Sequence, residues 1–241
     1  MWRHFIAGLQ FLTIIPCGPI QPLDTQKALP LFPLCGLIIG GILLAIDQLA
    51  SQLWAPSAVA VIDVVALAFL SGALHLDGLA DTADGLYGQR PPEKALAIMK
   101  DSRIGAIGMV AVSCCLAVKW AGLSDLHTHR LYFLLLVPAF ARAAVLFGIR
   151  LLPYGRPQGG TGHSFFQHPL KASDFWAVAL LFILAIFLTG KGAIWIAIGF
   201  SVLVAGVLIY YRRKISCITG DMLGALIEIT EAGLFLILSA A

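Results

Sequence analysis

Apolar residues run along this chain in seven long stretches, roughly Leu31–Ala50, Ser57–His75, Ile104–Gly122, Leu131–Leu152, Phe175–Gly190, Gly192–Tyr211 and Met222–Ala240. Each approaches the ~20 residues that a helix needs to cross a bilayer. The runs are continuously apolar rather than alternating, which favours helices over a barrel. Only a tight turn near Gly190–Gly192 separates the fifth run from the sixth, so the two form a helical hairpin. Arg3, His4 and Gln10 interrupt the apolar pattern of Met1–Ile15, which predicts an interfacial helix rather than a cleaved signal peptide. The expected fold is an all-α integral membrane protein, a polytopic bundle of about seven transmembrane helices. It forms a single domain over residues 1–241, with 1–30 as an N-terminal interfacial segment.

Composition agrees. Of the 241 residues 59% are hydrophobic and 12% charged, with mean hydropathy +0.91. A soluble domain carries about a quarter charged residues. A net charge of +3 is too small to imply nucleic acid. The five cysteines include no CxxC pair and lie mostly in apolar segments, which reads as reduced packing thiols.

The placement of charge says more than its sum. With the N-terminus in the cytoplasm, Arg3, Lys27, Arg90, Lys94, Lys100, Arg103, Arg150, Arg156, Lys171, Arg212, Arg213 and Lys214 fall inside, against Lys119, Arg130 and Lys191 outside. That is the positive-inside pattern, and it turns the polar segments 76–103, 153–174 and 212–221 toward the cytoplasm. Most acidic residues lie in or beside the same segments, so chemistry is expected on that face, with 76–103 as the catalytic loop.

The segment "HLDGLADTADGL", 75–86, spaces Asp77, Asp81 and Asp84 at i, i+4 and i+7. If the second span continues as a helix past His75, the three lie on one face. At an effective dielectric of 20, carboxylates ~6 Å apart repel by roughly 3 kcal/mol. No local residue offsets this, since the nearest downstream cation is Arg90. A divalent cation such as Mg²⁺, which takes hard oxygen ligands, is the expected counter-charge. The bland alternative is a solvated acidic segment, which gains nothing from aligning like charges.

Two further groups accompany this face. In "IMKDSRIGAIG", 98–108, Lys100 and Arg103 flank Asp101, and Gly105 and Gly108 open the third span. Cations beside free N–H groups at a helix N-terminus bind anions, so this reads as a diphosphate clamp, with a topogenic anchor as the alternative. In "TGDMLGALIEITEAG", Asp221 and Glu228 share a helix face of an otherwise apolar span, and either could ligate metal or serve as a general base. The segment "YGRPQGGTGHSF", 154–165, reads equally as a loop over a substrate or a plain connector. Arg142 lies within a span and needs a partner, Asp63 being one candidate; Asp47 reads as interfacial, and His127 and His129 as solvated.

The strings "FLTIIP", "LFPLCGLIIGG", "GALHLDGLADTADGL", "ALAIMKDSRIGAIG" and "ITGDMLGALIEITE" together resemble the cobalamin synthase (adenosylcobinamide-GDP ribazoletransferase) family along nearly the whole chain. The resemblance implies Mg²⁺-dependent phosphotransfer late in cobalamin biosynthesis. The 3′-hydroxyl of α-ribazole, or of its 5′-phosphate, attacks the phosphorus attached to the cobinamide arm of adenosylcobinamide-GDP, and GMP leaves. Carried over, Asp77, Asp81 and Asp84 would ligate the metal, and Lys100, Asp101, Arg103 and Gly105 would contact substrate. Asp221 and Glu228 would complete the metal shell or take the hydroxyl proton. The resemblance also implies a prokaryotic cytoplasmic (inner) membrane location. A homo-oligomer and association with other cobalamin-pathway enzymes are open expectations.

Two rivals stand beside it. A cation-coupled transporter also carries charges at span ends, but shows paired halves. Asp81, Asp84 and Gly85 match the D-x-x-D-G opening of the CDP-alcohol phosphotransferases, whose later G-x₃-D-x₃-D is missing here.

Overall fold

The computed structural model describes residues 1–101, 103–156, 159 and 162–240. Eleven α-helices follow in order: α1 (Trp2–Leu12), α2 (Thr25–Ala28), α3 (Phe32–Ala50), α4 (Pro56–Leu70), α5 (Leu74–Leu86), α6 (Pro92–Ile98), α7 (Ala106–Ser124), α8 (Arg130–Leu151), α9 (Trp176–Thr189), α10 (Gly192–Lys214) and α11 (Gly220–Ser239). Single 3₁₀ turns stand at Leu29–Leu31, His163–Phe166 and Ala172–Phe175. Six helical stretches are long and apolar enough to cross a membrane, and the bent pair α4–α5 makes a seventh if it counts as one span. The polytopic helical bundle is borne out, as are the helix near the N-terminus and the α9–α10 hairpin.

The centre of the bundle is α8, flanked by α3 on one side and α11 on the other, with α5, α7 and α10 around α11. Small residues let these backbones meet. A Cβ on Gly36 would stand 2.6 Å from the Pro138 carbonyl oxygen, and one on Gly40 would collide with the Leu135 backbone. Gly36 and Gly40 thus seat α3 on α8, a small-residue crossing of the kind membrane helices use in place of a hydrophobic driving force.

One expectation is corrected. The helix carrying the aspartates does not continue the second span; it is a separate helix turned by 88°. The turn is a Schellman cap: Gly72 N–H donates to Phe69 O (2.9 Å) and Ala73 N–H to Ala68 O (2.9 Å). Gly72 and Ala73 both have positive φ, 59° and 57°. The expected loop 76–103 is consequently mostly helix, α5 and α6.

The interior holds two charged groups. Lys119 of α7 donates to Glu228 (2.6 Å) and Glu231 (2.7 Å) of α11, and Glu231 also pairs with Arg142 of α8. All four side chains are at most 3% exposed. Two cations and two anions cancel there, so burial carries no net charge. The second group lies elsewhere: Arg130 pairs with Asp47 and, at 3.0 Å, with Asp63. Three sequence expectations change. Arg142 takes Glu231 rather than Asp63, Asp47 is buried rather than interfacial, and Lys119 is an interior residue rather than an outer-end charge.

Removing one member of a buried ion group strands its partner and costs ~3–5 kcal/mol. Lys119→Met is expected to destabilise the protein by about that amount. The double variant Lys119→Met/Glu228→Gln, which leaves the neutral Arg142–Glu231 pair, should recover most of the loss. Thermal unfolding in detergent checks both, and a double variant no more stable than the single would refute the charge-balance account.

Candidate active site

The end of the bundle that gathers α5 and the start of α11 contains a partly enclosed recess. It measures about 620 Å³ counted with the open space at its mouth. Its polar lining is His75, Asp77 and Asp221, and its apolar lining includes Phe11, Phe32, Val145, Phe165 and Ile227. Asp77 and Asp221 are 144 positions apart in the chain, and backbone contact brings them together. A Cβ on Gly78 would stand 2.7 Å from the Asp221 carbonyl oxygen, and one on Gly224 would stand 3.3 Å from the His75 Cα. Only hydrogen at residue 78 lets α5 and α11 cross this closely.

Asp221 lies in the first turn of α11, whose N-cap is Thr219, its side-chain oxygen accepting from Met222 N–H. The Arg156 guanidinium lies 2.9 Å from Asp221 Oδ2. A short ladder holds that arginine in place. Gly155 N–H donates to Ile218 O (2.9 Å) and Ile218 N–H to Pro153 O (2.9 Å), so strand-like segments 153–155 and 217–219 run side by side. The charges of Asp77, Asp84, Asp221 and Arg156 all act on Asp81. The counter-charge that no neighbour in sequence supplied therefore comes in part from Arg156, 75 positions downstream.

Asp84 is placed differently from Asp77 and Asp81. Its two carboxylate oxygens accept from the N–H groups of Gly105 (2.7 Å) and Gly108 (2.9 Å), capping α7 from a neighbouring helix. A Cβ on Gly108 would stand 2.5 Å from Asp84 Oδ2, so glycine is required for this approach. The free N–H groups read as an anion site thus already hold an anion, the Asp84 carboxylate. Arg90 Nη1 donates to the Asp84 carbonyl (3.0 Å).

The remaining candidates divide. Arg103 pairs with Asp101 at 2.6 Å on the surface, and the guanidinium holds the Asp101 carboxyl down at about 2. Lys100 is exposed in the same turn. Asp101, Arg103 and Gly105 line a shallow surface cleft with Asp84 and Arg90, separate from the recess. Glu228 does not reach the recess; it is locked to Lys119 inside the bundle. In 154–165, residues 157, 158, 160 and 161 lie outside the described residues, while Gly162 and Phe165 line the recess. His75 and Arg156 were not singled out from sequence. Neither has a local signal, since His75 sits in an apolar helical context and Arg156 reads as topogenic.

Magnesium needs oxygen donors with free lone pairs. The carboxylates of Asp77 and Asp81 accept no hydrogen bond from another described residue, and they are the hard donors that ion takes. Among the described residues no three Asp, Glu, His or Cys side chains form a ready-made cluster. Two carboxylates with water and substrate phosphate is nevertheless a common Mg²⁺ arrangement, so the donors fit in kind.

The described helices thus form a bundle of membrane-length helices with Asp77, Asp221 and Arg156 gathered at one end. The family described as Cobalamin-5-phosphate synthase matches residues 4–239, and the chain belongs to that family. Its relatives are transferases. An adenosylcobinamide-GDP ribazoletransferase of Alkaliphilus metalliredigens (strain QYMF) is 40% identical, covering 95% of this chain and 92% of its own. Proteins of the same name from Roseiflexus sp. (strain RS-1) and Syntrophobacter fumaroxidans (strain DSM 10017 / MPOB) are each 38% identical, over 93% and 100% of this chain and 84% and 98% of theirs. No solved structure matches. Membership sets aside the transporter and lipid-enzyme readings.

Asp84→Ala removes a cap and leaves two N–H groups of α7 without a partner. A cap loss costs ~1–2 kcal/mol, and a matching fall in thermal stability is expected. Gly78→Ala should push α5 from α11 and separate Asp77 from Asp221. Misplacement by ~1 Å costs about 100-fold in rate, so turnover should fall by that order while helix content by circular dichroism stays unchanged.

Proposed function

We propose that this chain joins adenosylcobinamide-GDP to α-ribazole or its 5′-phosphate, releasing GMP, at the recess between α5 and α11. The observation that carries the reading is the meeting of Asp77 and Asp221 at one glycine-dependent crossing, with Arg156 against Asp221. In the reaction the ribazole 3′-oxygen forms a bond to the cobinamide-bearing phosphorus. The bond from that phosphorus to the bridging oxygen breaks, GMP leaves with the electron pair, and the hydroxyl proton passes to a base.

Asp77 and Asp81 would hold Mg²⁺, which when bound neutralises charge on the diphosphate. Asp221, at the recess mouth, is the carboxylate suited to orient the attacking hydroxyl and accept its proton. Arg156 offers a fixed positive charge to the departing phosphate and keeps Asp221 in position. Asp84 fixes α7 against α5, and Lys100, Arg90 and Arg103 supply a cationic border that draws in the dianionic nucleotide. Glu228 serves the bundle rather than the reaction. The lysines and arginines on this end support a cytoplasmic orientation in a prokaryotic inner membrane, where the nucleotide substrate is found.

Release of GMP by purified protein, in Mg²⁺ or in EDTA, tests the reading. Turnover should require Mg²⁺. Asp77→Asn and Asp81→Asn should each lower kcat by ~10²–10³, as expected for loss of charge stabilisation in a phosphoryl transfer. Wild-type rates in either variant would remove that aspartate from the site.

A further inference from the structure

The recess is far more apolar than a diphosphate requires. Phe11 of α1, Phe32 at the start of α3 and Phe165 of the 163–166 turn form one continuous wall. Their ring centroids are 6.1 Å (Phe11–Phe32), 5.3 Å (Phe11–Phe165) and 5.8 Å (Phe32–Phe165) apart. Three distant segments supply one ring each, and Thr25 Oγ1 holds the turn in place by donating to Ser164 O (2.8 Å). Val145 and Ile227 add apolar lining, and the same recess is lined by Asp77, Asp221, Gly78 and Gly220. One cavity therefore combines carboxylates with an aromatic wall.

We propose that this aromatic wall is the receptor for the base of the ribazole substrate, with the sugar directed to Asp77 and Asp221; this rests on the function proposed above. A ribazole is a nucleoside of a benzimidazole, a flat, bicyclic, uncharged ring system. The other substrate is a corrinoid with a guanosine diphosphate, too bulky for the recess and too charged for its apolar end. Guanine and adenine of the other substrate are flat bicyclic bases too, but they carry several polar edge groups that a lining of phenylalanines leaves unpaired; benzimidazole brings a single free nitrogen and matches the aromatic lining better, since aromatic walls bind bases through their faces and edges. His75 adds a second observation. It lies on the same lining, it is buried, and its Nδ1 has no hydrogen-bond partner among the described residues. Buried polar atoms are normally satisfied. The benzimidazole nitrogen not bonded to the sugar is an acceptor, and His75 is the one described side chain of the lining that can donate to it. Seated this way, the base fills the inner end, and the ribose hydroxyls emerge at the carboxylates, where the diphosphate must lie.

The test uses full-length protein in detergent, with Phe165→Leu and Phe11→Leu compared with wild type after thermal unfolding has established that each is folded. GMP release is followed while each substrate is varied in turn, and α-ribosyl imidazole, which lacks the fused ring, is offered as a competing acceptor. Both variants should raise KM for α-ribazole phosphate tenfold or more and leave KM for adenosylcobinamide-GDP within twofold. They should also lose most of the wild-type preference for benzimidazole over imidazole. Equal changes in both KM values, no change in either, or an unaltered base preference would overturn the proposal. Absence of GMP release by wild type would sink the proposed reaction instead. Calorimetric titration with α-ribazole then decides the recess alone: binding lost in Phe165→Leu upholds it, and equal or absent binding in wild type overturns it.

Discussion

Everything at the functional end depends on how closely α5 can approach α11. At Gly78 the distance between backbones is set by hydrogen rather than by a side chain, and the carbonyl of Asp221 occupies the place of the missing Cβ. That contact brings together Asp77 and Asp221, which lie 144 positions apart in the chain. At the same crossing Gly224 lies against the His75 backbone, and His75 is buried. A membrane bundle has little hydrophobic drive to bring helices together, so close packing at small residues must do it. The same device seats α3 on α8 through Gly36 and Gly40.

Charge in this molecule is handled in two ways. Inside the bundle, Lys119, Arg142, Glu228 and Glu231 cancel one another within hydrogen-bond distance, a requirement where no water screens them. At the functional end, by contrast, Asp77, Asp81 and Asp221 are left with only Arg156 close by. Asp77 and Asp221 from this cluster line the recess that also carries the aromatic wall. Asp84 separates itself from this group because the N-terminus of α7 claims both its oxygens.

The fold was legible because a span is a local property: twenty apolar residues in a row are visible in the sequence, whatever they pack against. The hairpin at Gly190–Gly192 and the cluster of acids on one side could be read for the same reason. The break before α5 was legible in principle, since Gly72 is a helix-ending glycine, but the apolar run Leu74–Leu76 hid it. The structure then changed what the charged residues do. Glu228 carries a carboxylate as Asp221 does and shares its face on paper, yet seven residues along a helix, ~10 Å, carry it from the recess to the interior.

The sequence alone determined that the chain lives in a membrane, that its polar chemistry gathers on one side, and which family it resembles. Composition, hydropathy and contiguous motifs suffice for those, because each is a sum or a short-range pattern. Only the tertiary structure decided the partners: Arg156 for Asp221, Glu231 for Arg142, Asp84 for the N-terminus of α7, and three phenylalanines from three segments for one wall. Pairing across distant segments depends on which helices cross and how closely. That is settled by the collective fit of backbones at small residues, and no local stretch of the sequence carries it.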